Sequence, residues 1–287
     1  MPDSYLHKRF AFEAVHTFDK TLDFNALKLG AIGPDCYLYL IFHQRQYDAK
    51  RLSDLLHDEA HMPTFLTHLI NYVKKHYDLE LYAYLIGFIS HIILDITVNP
   101  FIEARTQTED ERLIMIKQID SIFLKRDFAL PAHKVDIMHE IFPCRQVPYP
   151  VQAMLETVMR EAFSQSHAGY IYKKSYTHMR RTFKVIIRDR FKVKTAVYHG
   201  IEKLFKPKRR FSLLTYVNPI NLGVLNDTCD KWQSPKTQIA QYDSVDMLYQ
   251  MACLKYETII QDLDSYLYHD VPLNFNDFFE TMKRQPQ

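Results

Sequence analysis

Two pairs of side chains in this sequence have the types and spacing that metal chemistry uses. His91 and Asp95 are four residues apart, which on a helix puts them on one face, and Asn99 extends the row. His57 and His61 repeat the interval. Imidazole nitrogen together with carboxylate oxygen suits zinc and other borderline divalent ions. Spacing alone says little, because a helix-borne His-x-x-x-Asp is common by chance. The surroundings say more: His91 and Asp95 interrupt an apolar stretch of Leu85, Ile86, Phe88, Ile89, Ile92, Ile93, Leu94 and Ile96. A carboxylate buried there needs a partner, and either a mutual hydrogen bond or a cation would serve. Asp35 follows the Gly33-Pro34 turn at the edge of another apolar run, and His7 lies near the start.

The elements that must position these groups read as helices, because apolar residues recur at three- and four-residue intervals. The pattern predicts a helix over 4–16 with Ser4 as its N-cap. It predicts two pieces within 22–39, broken at Gly33-Pro34, and one or two helices over 50–77 with a break at Pro63. A buried core helix is expected over 79–98, ending before Pro100. The stretch Tyr82 to Ile102 is apolar enough to suggest a membrane span, but His91, Asp95 and Asn99 would be costly in lipid. An amphipathic helix over 108–126 should turn Ile114, Ile116, Ile119, Ile122 and Phe123 inward. Beyond the prolines at 143, 148 and 150, helices are expected over 151–166, 170–205 and 243–268, with a loop-rich stretch over 207–236. No alternating pattern demands a sheet. The expected fold is all-α, a compact multi-helix bundle around a buried metal site. It is read as one helical domain over 1–287, with the metal-site core in 1–130 and a helical C-terminal part in 150–287.

The composition agrees with a globular helical protein. Apolar residues make up 47% of the 287 and charged residues 24%, and only six glycines are present, none in a phosphate-cradling loop. The 19 Tyr and 19 Phe are expected to pack between helices. The four cysteines at 36, 144, 229 and 253 form no Cys-x-x-Cys pair, which argues against a thiolate zinc site and fits reduced thiols. The first 30 residues show no signal-like apolar run, so a cytoplasmic location is expected. Charge is uneven: Lys173 to Arg210 carries 14 Lys and Arg against Asp189 and Glu202, a net +12, while the whole chain is +2. Such a run suits an anionic membrane or nucleic acid, or it is a solvated helix face.

Three stretches carry a resemblance. Leu29-Gly-Ala-Ile-Gly-Pro-Asp35, Leu55-Leu-His57-Asp-Glu and Tyr84-Leu-Ile-Gly-Phe-Ile-Ser-His91-Ile-Ile-Leu-Asp95 are similar to the zinc-dependent phospholipase C family, in the family's order, with His7 matching its early histidine. A weaker likeness continues at Leu225-Asn226 and Trp232 to Pro235. The resemblance implies a helical bundle around zinc and hydrolysis of phosphodiester or related phosphoric-ester bonds, with phospholipid among the substrates. It implies that Asp35, His57 and His91 hold one zinc, that Asp95 bridges to a second also bound by His7, and that Asp35 assists as a base toward the attacking water. The chain departs from the family where a third zinc would sit. Asn99, Arg112 and Ile116 stand at positions where the family has histidine, histidine and glutamate, and they cannot replace those ligands. Two ions rather than three are therefore expected. Other readings stay open at this level. One is a degenerate relative kept for binding or structure. Another is an HD-type phosphohydrolase using His57-Asp58, which needs Asp58 on the metal. A third is nucleic-acid binding through 173–210. His61 is a further candidate ligand.

Overall fold

A computed structural model of the chain describes residues 3–15, 21–41, 43–187, 193–205, 211–216 and 222–283. Helix α1 (Ser4–Val15) is preceded by Asp3, whose carbonyl accepts the His7 N–H at 3.2 Å and whose carboxylate accepts the Ser4 N–H. The expected cap was Ser4. The carboxylate one residue earlier reaches the first amide of the helix, and the next two, of Tyr5 and Leu6, are taken by Asp120. Helix α2 (Phe24–Ile32) is capped by Asp23, which accepts from the amides of Asn25 and Ala26. It ends at Gly33, and a tighter 3-10 segment runs through Tyr39. Helices α3 (Gln46–His57) and α4 (Met62–Lys75) flank the break near Pro63.

The longest helix, α5 (Leu79–Arg105), starts at the Asp78 cap and runs through Pro100 rather than stopping before it. The proline removes one amide donor at a cost of about 3 kcal/mol. Val98, Phe101 and Ile102 are buried around it, and each contributes roughly 1.5–3 kcal/mol. Continuing the helix therefore wins. Among the described residues α5 is the one helix long and apolar enough to cross a membrane, and 94% of its most apolar window is buried within the protein. It is a core helix. Helix α2 crosses it closely, because Gly30 and Gly87 face each other: a Cβ on Gly30 would lie 2.1 Å from the Tyr84 carbonyl oxygen.

Helix α6 (Glu109–Phe128) is capped by Thr108 and carries acids in its first turn and bases in its last, as the helix dipole favours. Ile119, Ile122 and Phe123 face inward as expected and Ile116 is half-buried, but Ile114 is exposed and Met115 takes the inward register. After a short helix α7 (Ile137–Ile141), α8 (Tyr149–Phe163) and α9 (Ala168–Thr182) pack as a pair. The single helix expected over 170–205 is instead α9, a wider π turn over Phe183–Ile187 and α10 (Val193–Phe205). Residues 188–192 and 206–210 of the basic run, and Pro207 and Pro219, lie outside the described residues. Strands β1 (Trp232–Gln233) and β2 (Ala240–Gln241) form a small antiparallel ladder around Pro235, too short to leave an alternating pattern. Helix α11 (Val245–Tyr268) packs on α5, with the Tyr256 hydroxyl donating to the Ile86 carbonyl at 3.1 Å. Helix α12 (Phe275–Lys283) lies against α11.

Candidate metal centre

Four segments bring five chemically active side chains together. His7 comes from α1, Asp35 from the 3-10 segment after α2, His57 from the end of α3, and His91 and Asp95 from α5. Four are buried and His57 is half-buried. Donor atoms of His7, Asp35 and His91 lie within 4.8 Å of one another, as do those of His57, His91 and Asp95. The imidazoles of His7 and His91 stack with centroids 3.9 Å apart. Asp95 turns one oxygen to His7 Nε2 and the other to His91 Nε2, each at 3.4 Å. Asp95 thus has one oxygen toward each of two histidines. The two donor groups, His7 with Asp35 and His91, and His57 with His91 and Asp95, divide differently from the sets that the resemblance implied.

Two of the three rings are oriented by the far nitrogen. His91 Nδ1 lies 2.9 Å from the Ala31 carbonyl, and His57 Nδ1 lies 2.7 Å from the Ser53 carbonyl. A carbonyl only accepts, so both Nδ1 atoms carry a proton, and in the neutral ring each Nε2 points its lone pair inward. Those lone pairs meet carboxylates: His57 Nε2 is 3.2 Å from Asp35, and His91 Nε2 faces Asp95. Lone pair against lone pair in a buried site is repulsive until a proton or a metal ion lies between them. His91 Nε2, both nitrogens of His7 and Asp95 Oδ1 are buried without a hydrogen bond. Two donors each 2.0–2.1 Å from one tetrahedral zinc would be about 3.3 Å apart, close to the observed separations. The residues present therefore fit a zinc ligand set.

The electrostatics agree. Burial, reinforced by His91, pushes His7 below its ordinary value and keeps its ring neutral. Burial also lowers His91, but the facing Asp95 outweighs it and the net shift is upward. Burial raises Asp95, yet His91 and His7 overcome it and hold the carboxyl well below the usual range. Asp35 follows the same pattern: burial raises it, and the His57 hydrogen bond with the charges of His91 and His57 brings it down. Both carboxylates are thus held ionised next to lone-pair donors.

Other expected residues fall elsewhere. His61 is exposed, pairs with Asp58 at 2.7 Å and is not among the clustered donors. The His57/His61 interval ends at the helix terminus, and the chain turns outward there. Asp58, which the HD-type reading needs on the metal, is exposed with it and is not among the clustered donors either. Asn99 sits within α5 rather than at its end, with Oδ1 buried and unpartnered. It lines a cavity of about 370 Å³ together with His57, His91, Asp95, Arg112, Lys236 and Lys283. Leu38, Met62, Ile96 and Phe279 supply its apolar walls.

Three positioning features had no reading in the sequence. Gly33 has φ +55° and ψ −139°, and a Cβ there would lie 2.9 Å from His91 Cγ. Ser53 places both its carbonyl and its hydroxyl at His57 Nδ1. Asp120, fully buried, accepts the amides of Tyr5 at 3.1 Å and Leu6 at 3.0 Å and the Tyr216 hydroxyl at 2.9 Å. It fixes the first turn of α1 and with it His7. Lys117 and Asp3 form a buried ion pair beside it. The Gly33-Pro34 pair before Asp35 is the one local signal that pointed toward this cradle.

The sequence model of the family described as zinc dependent phospholipase C matches residues 6–99, the span that holds all five clustered side chains. No curated protein and no solved structure gives a match.

Proposed function

We propose, from the membership of residues 6–99 in the zinc-dependent phospholipase C family, that this chain is a metal-dependent hydrolase of phosphoric esters acting on a phosphodiester or phospholipid. The observation that carries the reading is the convergence of His7, Asp35, His57, His91 and Asp95, with His7, His91 and Asp95 keeping buried polar atoms that have no hydrogen-bond partner. Bound there, zinc would supply Lewis-acid polarisation of a phosphoryl oxygen and acidification of a water. The chain's own groups do the rest. Ala31 and Ser53 orient His91 and His57, and Asp35 would accept a proton from a water held at the centre. The cavity gives the ester a place to lie, with Arg112 as a fixed cation for its phosphate and apolar walls for its substituents. The four unpaired cysteines support a cytoplasmic setting.

A second reading is a family member that keeps the fold for binding or structure. Asn99, Arg112 and Ile116, in place of a third set of zinc ligands, favour it. The test is zinc content and turnover of a generic phosphodiester, for the wild type beside His91→Ala and Asp95→Ala, with circular dichroism as the folding check. Stoichiometric zinc and turnover lost in both variants support the hydrolase. Zinc without turnover supports the binding protein, and turnover untouched by either substitution removes both readings of the site.

A further inference from the structure

Helix α10 is amphipathic in the wrong sense for a surface helix. Val193, Val197, Ile201 and Leu204 fall at i, i+4, i+8 and i+11, one face of the helix. That face points away from the protein: the four are 61%, 55%, 46% and 80% exposed. Ala196 and Gly200 lie between them, also exposed, and a Cβ added to Gly200 would meet nothing within 4 Å. The polar side faces inward instead. Thr195 bonds Thr215 at 3.0 Å, and Glu202, buried, accepts the Ser212 amide at 2.8 Å and hydroxyl at 2.5 Å. The helix is thus held to the protein by hydrogen bonds while its apolar stripe meets solvent, a placement that marks an interaction surface.

The charges around the stripe select its partner. Lys203 and, on the preceding π turn, Lys184 are exposed; Lys194 is half-buried with its ammonium donating to the Val185 carbonyl at 2.7 Å, and Val185 itself is 54% exposed. The helix's one acid, Glu202, is turned inward and paired. A second copy of the chain would bring lysine against lysine. Nucleic acid would use the lysines and leave the valines, isoleucine and leucine in water. A bilayer with anionic headgroups takes both features, the stripe at the acyl boundary and the lysines at the phosphates. We infer that α10 is an interfacial helix that docks the protein on anionic membranes. This goes beyond the hydrolase reading, because it stands on a surface outside the metal cluster and does not depend on catalysis.

The experiment is co-sedimentation of the full chain with vesicles of phosphatidylcholine alone and of phosphatidylcholine mixed with phosphatidylserine, with chelator and without. Binding should require phosphatidylserine, persist in chelator and weaken steeply with salt. Val197→Asp with Ile201→Asp should reduce it by about tenfold or more, and Lys194→Glu with Lys203→Glu comparably. Cleavage of a water-soluble phosphodiester should be unchanged in both variants, which separates failure here from failure of the hydrolase reading. Val197→Ser with Ile201→Ser replaces the aspartate pair if the latter misfolds. The inference is overturned by wild-type protein that ignores anionic vesicles, or by stripe variants that bind as the wild type does. It is equally overturned if the stripe variants turn a dimer into a monomer in sedimentation, or if an oligonucleotide competes the vesicles away through the same lysines.

Discussion

Replacing Gly33 by alanine perturbs the candidate centre without touching a donor atom. The residue has φ +55° and ψ −139°, a region that residues with a Cβ enter only at roughly 1–3 kcal/mol. The new methyl would lie 2.9 Å from His91 Cγ and 3.0 Å from Nδ1, where carbon contacts settle near about 3.5–4.0 Å. The ring must retreat by about half an ångström or more, and its 2.9 Å bond to the Ala31 carbonyl lengthens or breaks. Two readouts follow. The metal-free protein should melt about 3–8 °C lower. Zinc affinity should fall roughly 10–100-fold, as it does when the group orienting a ligating histidine is lost. Melting curves over a zinc titration measure both, since each tenfold loss of affinity removes about 1.4 kcal/mol of zinc-dependent stabilisation. A Gly33→Ala protein that melts and binds zinc like the wild type would refute the argument that Gly33 is the cradle of His91.

Three further outcomes are expected. Asp120→Ala leaves the Tyr5 and Leu6 amides and the Tyr216 hydroxyl without their acceptor, so urea denaturation should show a loss of about 3–6 kcal/mol and zinc binding should weaken through His7; an unchanged midpoint would contradict it. Arg112→Ala should raise KM for an anionic phosphodiester about tenfold while zinc content holds, and a pure loss of zinc would place Arg112 in the metal's support instead. Burial pushes the Lys255 ammonium down to about 8 from 10.5, so between those values the folded chain holds fewer protons than the unfolded one and stability rises with pH. Lys255→Met should remove that rise, worth about 3 kcal/mol, so the variant's advantage in urea at pH 7 should vanish by the top of the window; a constant offset would contradict it.

Part of the cluster was legible because charged and imidazole groups inside apolar runs are conspicuous. His91 and Asp95 stood out against eight aliphatic and aromatic neighbours, and Asp35 against a Gly-Pro turn. The helices were legible from periodicity, but their ends and faces were less so. Pro100 reads locally as a stop, and the burial of Val98, Phe101 and Ile102 that overrides it is a tertiary fact. Ile114 and Met115 are equally apolar, so their neighbours decide which of them faces the core. His61 shares its interval with a true cluster member, yet it pairs with Asp58 in solvent. Asp120 acts on amides more than a hundred positions away and leaves no short-range trace. The stripe of α10 is visible as a period, but a period cannot say which side meets the protein.

The central claim is that imidazole and carboxylate donors from separate helices converge on metal. X-ray absorption at the zinc edge of the purified, zinc-loaded chain tests it most directly. The account predicts a nitrogen and oxygen shell at about 2.0–2.1 Å with the multiple scattering of imidazole and no sulfur. A sulfur shell near about 2.3 Å, or zinc surrounded by water alone, would contradict it.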